Sequence, residues 1–277
     1  MQRALVLGGG GVTGVAWELG LLAGLIERGV PVTEADLVVG TSAGSVVGAQ
    51  VCSGLPVERF YEEELVPPSS ELAARLGLLT LTRLVWAGGR TRDAARSRAR
   101  IGAMALAART QSEASRRTVI EARLPARDWP ARRLLVTAVD AATGEFVVFD
   151  RDGAVSLVDA VGASCAVPGV WPPVTVGARR YVDGGMRSSV NADLAAGVQR
   201  VLVIAPTSAA FGPMPRLSAQ VAGLRAAGSR VAVVTPDAAA RTAIGRNVLD
   251  PARRAGAARA GRAQATAVVD EVAALWV

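Results

Sequence analysis

Ser42 stands between two glycines in Gly40-Thr41-Ser42-Ala43-Gly44. This is the form of a nucleophile elbow, in which a hydroxyl is held on a sharp strand-to-helix turn. Small flanking residues keep such a turn free of clashes and let a carbonyl approach. The N–H groups that open the following helix then face negative charge developing at the site. Taken alone, the pattern also describes an ordinary glycine-rich turn. Its place between an apolar run, Asp36 to Val39, and a small-residue helical stretch reaching about Val51 favours the elbow.

A second glycine run, Gly8 to Gly11, follows the apolar residues 4–7. Gly9-x-Gly11-x-x-Gly14 has the form of a dinucleotide fingerprint, and a nucleotide-binding module is the rival reading. Such a unit wants an acidic residue at the end of its second strand to hold a ribose. Here Glu34 and Asp36 precede or begin that strand, and its far end is Gly40-Thr41-Ser42. The loop makes better sense as an oxyanion hole. The N–H groups of Gly9, Gly10, Gly11 and Val12 would converge on one carbonyl oxygen, joined by that of Ala43.

The chain of 277 residues contains no His. That excludes a Ser-His-Asp triad within it and every His-ligated metal site. A carboxylate is therefore the leading candidate for the base. Asp140, Asp150 and Asp152 fall in apparent hairpin turns, where Asp is common for local backbone reasons. Asp159 and Asp193 read as helix-start or helix-surface residues. Asp183 follows an apolar strand, Arg179 to Val182, and precedes Gly184-Gly185, so backbone can pack closely around it; a strand-terminating turn is the plainer account.

Three blocks in this order, Gly9-Gly10-Gly11-Val12-Thr13-Gly14, Gly40-Thr41-Ser42-Ala43-Gly44 and Asp183-Gly184-Gly185, resemble the signature blocks of the patatin-like phospholipases. Ala163 to Gly169 resembles a further block, and the likeness covers about residues 4–205. The resemblance implies a Ser42–Asp183 dyad, a glycine-loop oxyanion hole and cleavage of lipid acyl esters through an acyl-enzyme intermediate, without cofactor or metal. Gly14, Gly40, Gly44, Gly184 and Gly185 are its motif glycines. The family's loop often has a basic residue where this chain has Thr13, which raises the alternative of a weakly active lipid-binding or regulatory protein.

These residues need elements to position them. Residues 4–7 read as a buried strand, 15–28 as a helix stopped by Gly29 and Pro31, and 36–39 as a second strand, a parallel βαβ unit. From 56 to 125 the chain reads as a helical excursion, broken at Pro67-Pro68. Its Arg-rich part, 75–117, reads as a solvated helical face. Residues 133–139 and 145–149 form a hairpin, and 156–166 a helix stopped by Pro168-Gly169. Strands 201–205 and 231–235 follow, with a helix between them and an Ala-rich one at the end. The expectation is a three-layer α/β/α fold with a mainly parallel sheet, one domain over 1–277, in which 206–277 is an extension without a counterpart in the family's blocks.

Composition agrees with a chain that folds around a large buried core. Apolar residues make up 51% and charged residues 20%, which excludes a wholly disordered chain. All 31 basic residues are Arg, and the net charge of +7 draws the protein to anionic surfaces. Without an aromatic-interleaved basic patch, a transient contact with an anionic membrane is favoured over nucleic acid. The expected partner is a lipid or small ester. Cys52 and Cys165 lie in apolar stretches and read as buried thiols. No stretch approaches the ~18 apolar residues of a spanning helix, and the chain is expected to be cytoplasmic, peripheral to membranes at most.

Overall fold

A computed structural model describes residues 2–67, 74, 78–89, 91–210 and 212–276. The early elements are β1 (Arg3–Leu7), α1 (Gly11–Glu27), β2 (Leu37–Gly40) and α2 (Ala43–Cys52). The helical excursion is built from α3 (Val57–Leu65), α4 (Leu78–Gly89), α5 (Ala94–Ala107) and α6 (Glu113–Arg123). Then come β3 (Arg133–Asp140), β4 (Phe146–Phe149), α7 (Leu157–Ser164), β5 (Val174–Val176) and β6 (Arg179–Asp183). The chain closes with β7 (Arg200–Ile204), α8 (Leu217–Ala226), β8 (Arg230–Val234), α9 (Ala238–Ile244) and α10 (Arg254–Trp276). Pro68, Arg75 and Arg90, which the sequence reading placed in the excursion, lie outside the described residues.

Among the described residues eight strands form one sheet with the path β5-β6-β3-β2-β1-β7-β8, and β4 pairs with β3. The pairs from β3 through β2, β1 and β7 to β8 are parallel, whereas β4, β5 and β6 join antiparallel. Successive side chains of a strand point to opposite faces, and here both faces are buried. Leu5, Leu7, Val38, Leu134 and Val136 face the core shared with α1, α2, α7 and α10. Ala4, Val6, Leu37, Val39 and Leu135 face a second core with Leu224 of α8 and the segment 190–198. The result is three layers, helix, sheet and helix.

Helix α1 lies at the centre. Residues Val12 to Leu25 are all buried, because the helix is apolar around its whole circumference and is covered on one side by the sheet and on the other by α10. Trp17 Nε1 donates to Gln264 Oε1 of α10 at 3.0 Å. The region after residue 205 thus completes the core: β8 extends the sheet beside β7, and α10 covers α1.

Three sequence expectations are corrected. Helix α1 begins at Gly11 rather than residue 15, so Val12 and Gly14 are helical positions. β5 was not foreseen; it is a three-residue edge strand too short to show a pattern. The Arg-rich excursion is not solvated throughout, since Arg116 is only 6% exposed.

Candidate active site

Strand β3 brings the two candidate catalytic residues together. Val136 pairs with both Gly40 of β2 and Phe149 of β4, so those partners occupy opposite flanks. Ala138 pairs with both Val147 of β4 and Asp183 of β6. Therefore β4 runs along one flank of β3, while β2 and then β6 share the other. β2 leaves this flank at Gly40 to make the elbow. The end of β6 takes its place two residues further on, about 7 Å along the strand. Ser42 and Asp183 thereby meet at one sheet opening.

The elbow itself is strained. Ser42 has φ 53° and ψ −115°, a region non-glycine residues avoid at a cost of about 1–3 kcal/mol. The turn closes because Gly40 and Gly44 leave room. A Cβ on Gly44 would lie 2.1 Å from the Leu7 carbonyl oxygen, against the end of β1. Surrounding polar groups hold the conformation. The Ser42 N–H donates to Ser164 Oγ at 2.9 Å. The Ser42 carbonyl accepts from Ser45 Oγ at 2.6 Å and from Cys165 Sγ at 3.3 Å.

Asp183, 3% exposed, ends β6. Its Oδ1 accepts the Gly185 N–H at 2.7 Å, and its own N–H donates to the Ala166 carbonyl at 3.0 Å. Burial pushes its carboxyl up to about 7, opposed by the Ser42 hydroxyl hydrogen bond, the Gly185 N–H and the positive charge of Arg116. Asp140, Asp150, Asp159 and Asp193 are engaged elsewhere. Asp140 caps the N–H groups of Ala142 and Thr143, Asp150 accepts the Asp152 N–H, Asp159 pairs with Arg117, and Asp193 pairs with Arg187.

The glycine loop faces Ser42 from the end of β1. Gly11 and Val12 open α1 and Ala43 opens α2, so their N–H groups have no acceptor within their own helices. Gly10 is the cap residue of α1. Gly11 has φ +62°, and a Cβ there would meet the Val248 carbonyl oxygen at 2.5 Å; only glycine fits without strain. Gly9 departs from the sequence reading: its N–H donates to the Ser189 carbonyl at 2.7 Å, so it fixes the loop instead of facing an oxyanion. Gly14 lies inside α1 and packs against Pro206 and Ala43. Gly184 sits against Thr137, and Gly185 supplies the N–H to Asp183.

Other residues support the pair, some from the further block singled out in the sequence and some, such as Asn191 and Thr137, without any motif signal there. The block Ala163–Gly169 bridges the pair, Ser164 holding the Ser42 amide and Ala166 the Asp183 amide. Beneath the elbow, Asn191 Nδ2 donates to Thr41 Oγ1 at 3.0 Å and to the Ser188 carbonyl at 2.9 Å, while Thr137 Oγ1 donates to Thr41 Oγ1 at 3.0 Å. The only hint of Asn191 is its position eight residues after Asp183. The departure at Thr13 has a physical account. Thr13 is fully buried, and its N–H and hydroxyl both donate to the Val248 carbonyl at 3.1 and 3.2 Å. Leu249, beside it, lines the small space over Ser42 together with Val12, Arg116, Arg123 and Trp171. That space is about 20 Å³, room for one water. A groove of about 1020 Å³ lies elsewhere, lined by Asp36, Trp129 and Arg132, and contains none of the catalytic candidates.

A strand-to-helix elbow and a glycine loop thus lie at the tips of neighbouring parallel strands of an α/β/α fold, with an aspartate beside them. A sequence model of the patatin-like phospholipases matches residues 5–196. The chain belongs to the patatin-like phospholipase family, whose members are lipid acyl hydrolases. Among solved structures it is similar to VipD from Legionella pneumophila, with 13% identity over 98% of this chain and 67% of that one, at a TM-score of 0.49. It is also similar to the type III effector protein ExoU, with 17% identity over 98% of this chain and 53% of that one, at a TM-score of 0.43. Among the described residues no helix is long and apolar enough to cross a membrane.

Proposed function

We propose that the protein hydrolyses fatty-acyl esters with Ser42 as nucleophile and Asp183 as base. Asp183 accepts the proton of Ser42 as its oxygen attacks the ester carbonyl. The oxyanion is held by the N–H groups of Gly10, Gly11, Val12 and Ala43. The proton passes from Asp183 to the departing alcohol, leaving an acyl-Ser42 ester. Water, deprotonated by the same carboxylate, attacks that ester and releases the fatty acid. The sheet-forming residues and the helices after 205 act as one domain around this site.

The observation that carries the reading is the approach of Asp183 to Ser42 on one flank of β3, below helix-opening amides. Its test is labelling with a fluorophosphonate probe alongside p-nitrophenyl ester turnover. Wild-type protein labels at Ser42, and Ser42→Ala neither labels nor turns over, losing about 10³-fold or more in rate with its melting transition intact. Undiminished turnover by Ser42→Ala sinks the assignment.

A further inference from the structure

We propose that Gln220 of α8 is a positioning residue for ester hydrolysis, setting the approach of Ser42 to Asp183 through the loop 188–191. This rests on the reading of Ser42 and Asp183 as the catalytic pair. Gln220 lies beyond residue 196, where the family match ends, and it does not line the space over Ser42. The loop it holds touches each of the three parts of the site. The Ser189 carbonyl accepts the Gly9 N–H at 2.7 Å and so pins the glycine loop. Asn191 Nδ2 donates to Thr41 Oγ1 at 3.0 Å, next to the candidate nucleophile. The same nitrogen reaches the Gly184 carbonyl at 3.4 Å, next to the candidate base. A shift of this loop is therefore felt at both members of the pair and at the amide donors.

The loop does not keep its shape unaided. Asn191 takes φ 54° and ψ 39°, left-handed backbone that costs a residue with a Cβ. One side chain braces the loop on both sides of that position. Gln220 Oε1 accepts the Ala192 N–H at 2.6 Å, and its Nε2 donates to Ser188 Oγ at 2.7 Å. Ser188 Oγ in turn accepts the Asn191 N–H at 3.2 Å. An amide suits the place because it accepts at one end and donates at the other, which an apolar side chain of like length cannot do. Nε2 also donates to the Pro215 carbonyl at 3.3 Å, and Gln220 is buried. A buried amide bonded through both its oxygen and its nitrogen holds one arrangement. Helix α8 thus reaches the site through a loop it fixes.

The test uses the full chain, p-nitrophenyl butyrate, and active sites counted by complete reaction with a fluorophosphonate. Gln220→Met removes both hydrogen bonds at similar length. Its kcat per counted site should fall about tenfold, since about an ångström of misplacement costs about a hundredfold, while KM stays close to wild type. The Ser42 hydroxyl holds the Asp183 carboxyl down, so a loosened pair moves the acid limb of the kcat/KM profile to higher pH. Arg116 and Cys165, whose charges also act with Asp183, are left as they are. Asn191→Ala should show the same changes more strongly. The double variant should be no worse than Asn191→Ala, because Gln220 acts through that residue. An unchanged kcat per counted site with only a lower melting temperature overturns the proposal, as does a limb that stays in place or losses that add in full. Should Gln220→Met not melt cooperatively, Ser188→Ala, which removes only the Nε2 acceptor, takes its place with the same outcomes. Turnover surviving in Ser42→Ala would defeat the reading of the pair instead; wild-type behaviour of Gln220→Met with Ser42 still labelled would defeat only the positioning.

Discussion

The end of β6 and the second turn of α1 each bury a carboxyl group, and the two are provided for differently. Asp183 has a directed Gly185 N–H, the Ser42 hydroxyl and the field of Arg116. Glu18 is fully buried, and among the described residues neither carboxyl oxygen has a hydrogen-bond partner. The Gly8 amide lies near Glu18, but it donates to the Ile204 carbonyl at 2.9 Å. Burial raises both groups, Asp183 to about 7 and Glu18 well above the ordinary carboxylate range. Burial alone therefore does not set whether a carboxyl group ionises near neutrality. Donors that favour the charged form keep Asp183 where it trades a proton near neutrality, while Glu18 is driven toward its neutral form.

The largest test of this contrast is Asp183→Asn. Its amide oxygen still accepts the Gly185 N–H, but it cannot take the serine proton. Ester turnover should fall about 10²–10⁴-fold, the usual worth of a general base; a near-wild-type rate would give the role to another group. The same variant should melt higher than wild type above pH 7. Asp183 has a folded pKa raised above its unfolded value, so its contribution to stability is full below about pH 4 and is lost as pH rises through about 7. By the conversion from pKa shift to free energy the loss is on the order of 4 kcal/mol, and a D183N melting temperature below wild type at pH 8 would contradict it.

The next effect is on rate. With Asp183 as the proposed base, kcat/KM for a neutral ester should rise about tenfold per pH unit below pH 7 and level off above it. A flat profile from pH 5 to 8 would place the working pKa elsewhere. The smallest effect sharpens the other half of the comparison. Glu18→Met replaces an unpartnered buried acid with an apolar side chain of similar length, and should stabilise the fold by about 1–3 kcal/mol, the cost of an unsatisfied buried polar group. Turnover should stay within about threefold of wild type. A lower melting temperature would show that Glu18 has a partner in solution.

Much of the frame was legible in the sequence. Apolar runs marked β1, β2, β3, β7 and β8 because strands buried on both faces read as continuous hydrophobic stretches. The elbow and the glycine loop were legible because close backbone approach admits glycine alone at positions such as Gly44. What failed to show were features with no local signature. The antiparallel edge strand β5 is three residues long, and Gly9 and Gly11 look alike in sequence although one amide is taken by Ser189. Arg116 looks like any other arginine of α6 until Trp171, 55 positions later, is folded beneath it.

The sequence by itself determined the parts: a hydroxyl flanked by glycines, a histidine-free chain whose leading candidate base is a carboxylate, and strands and helices in alternation. These are set by residue type and short-range backbone sterics. The family resemblance pointed to Asp183, but only the tertiary structure decided whether it meets Ser42 and how it is charged. That choice depends on β2 and β6 sharing one flank of β3 and on burial within the fold, because pairing register and desolvation are properties of residues distant along the chain.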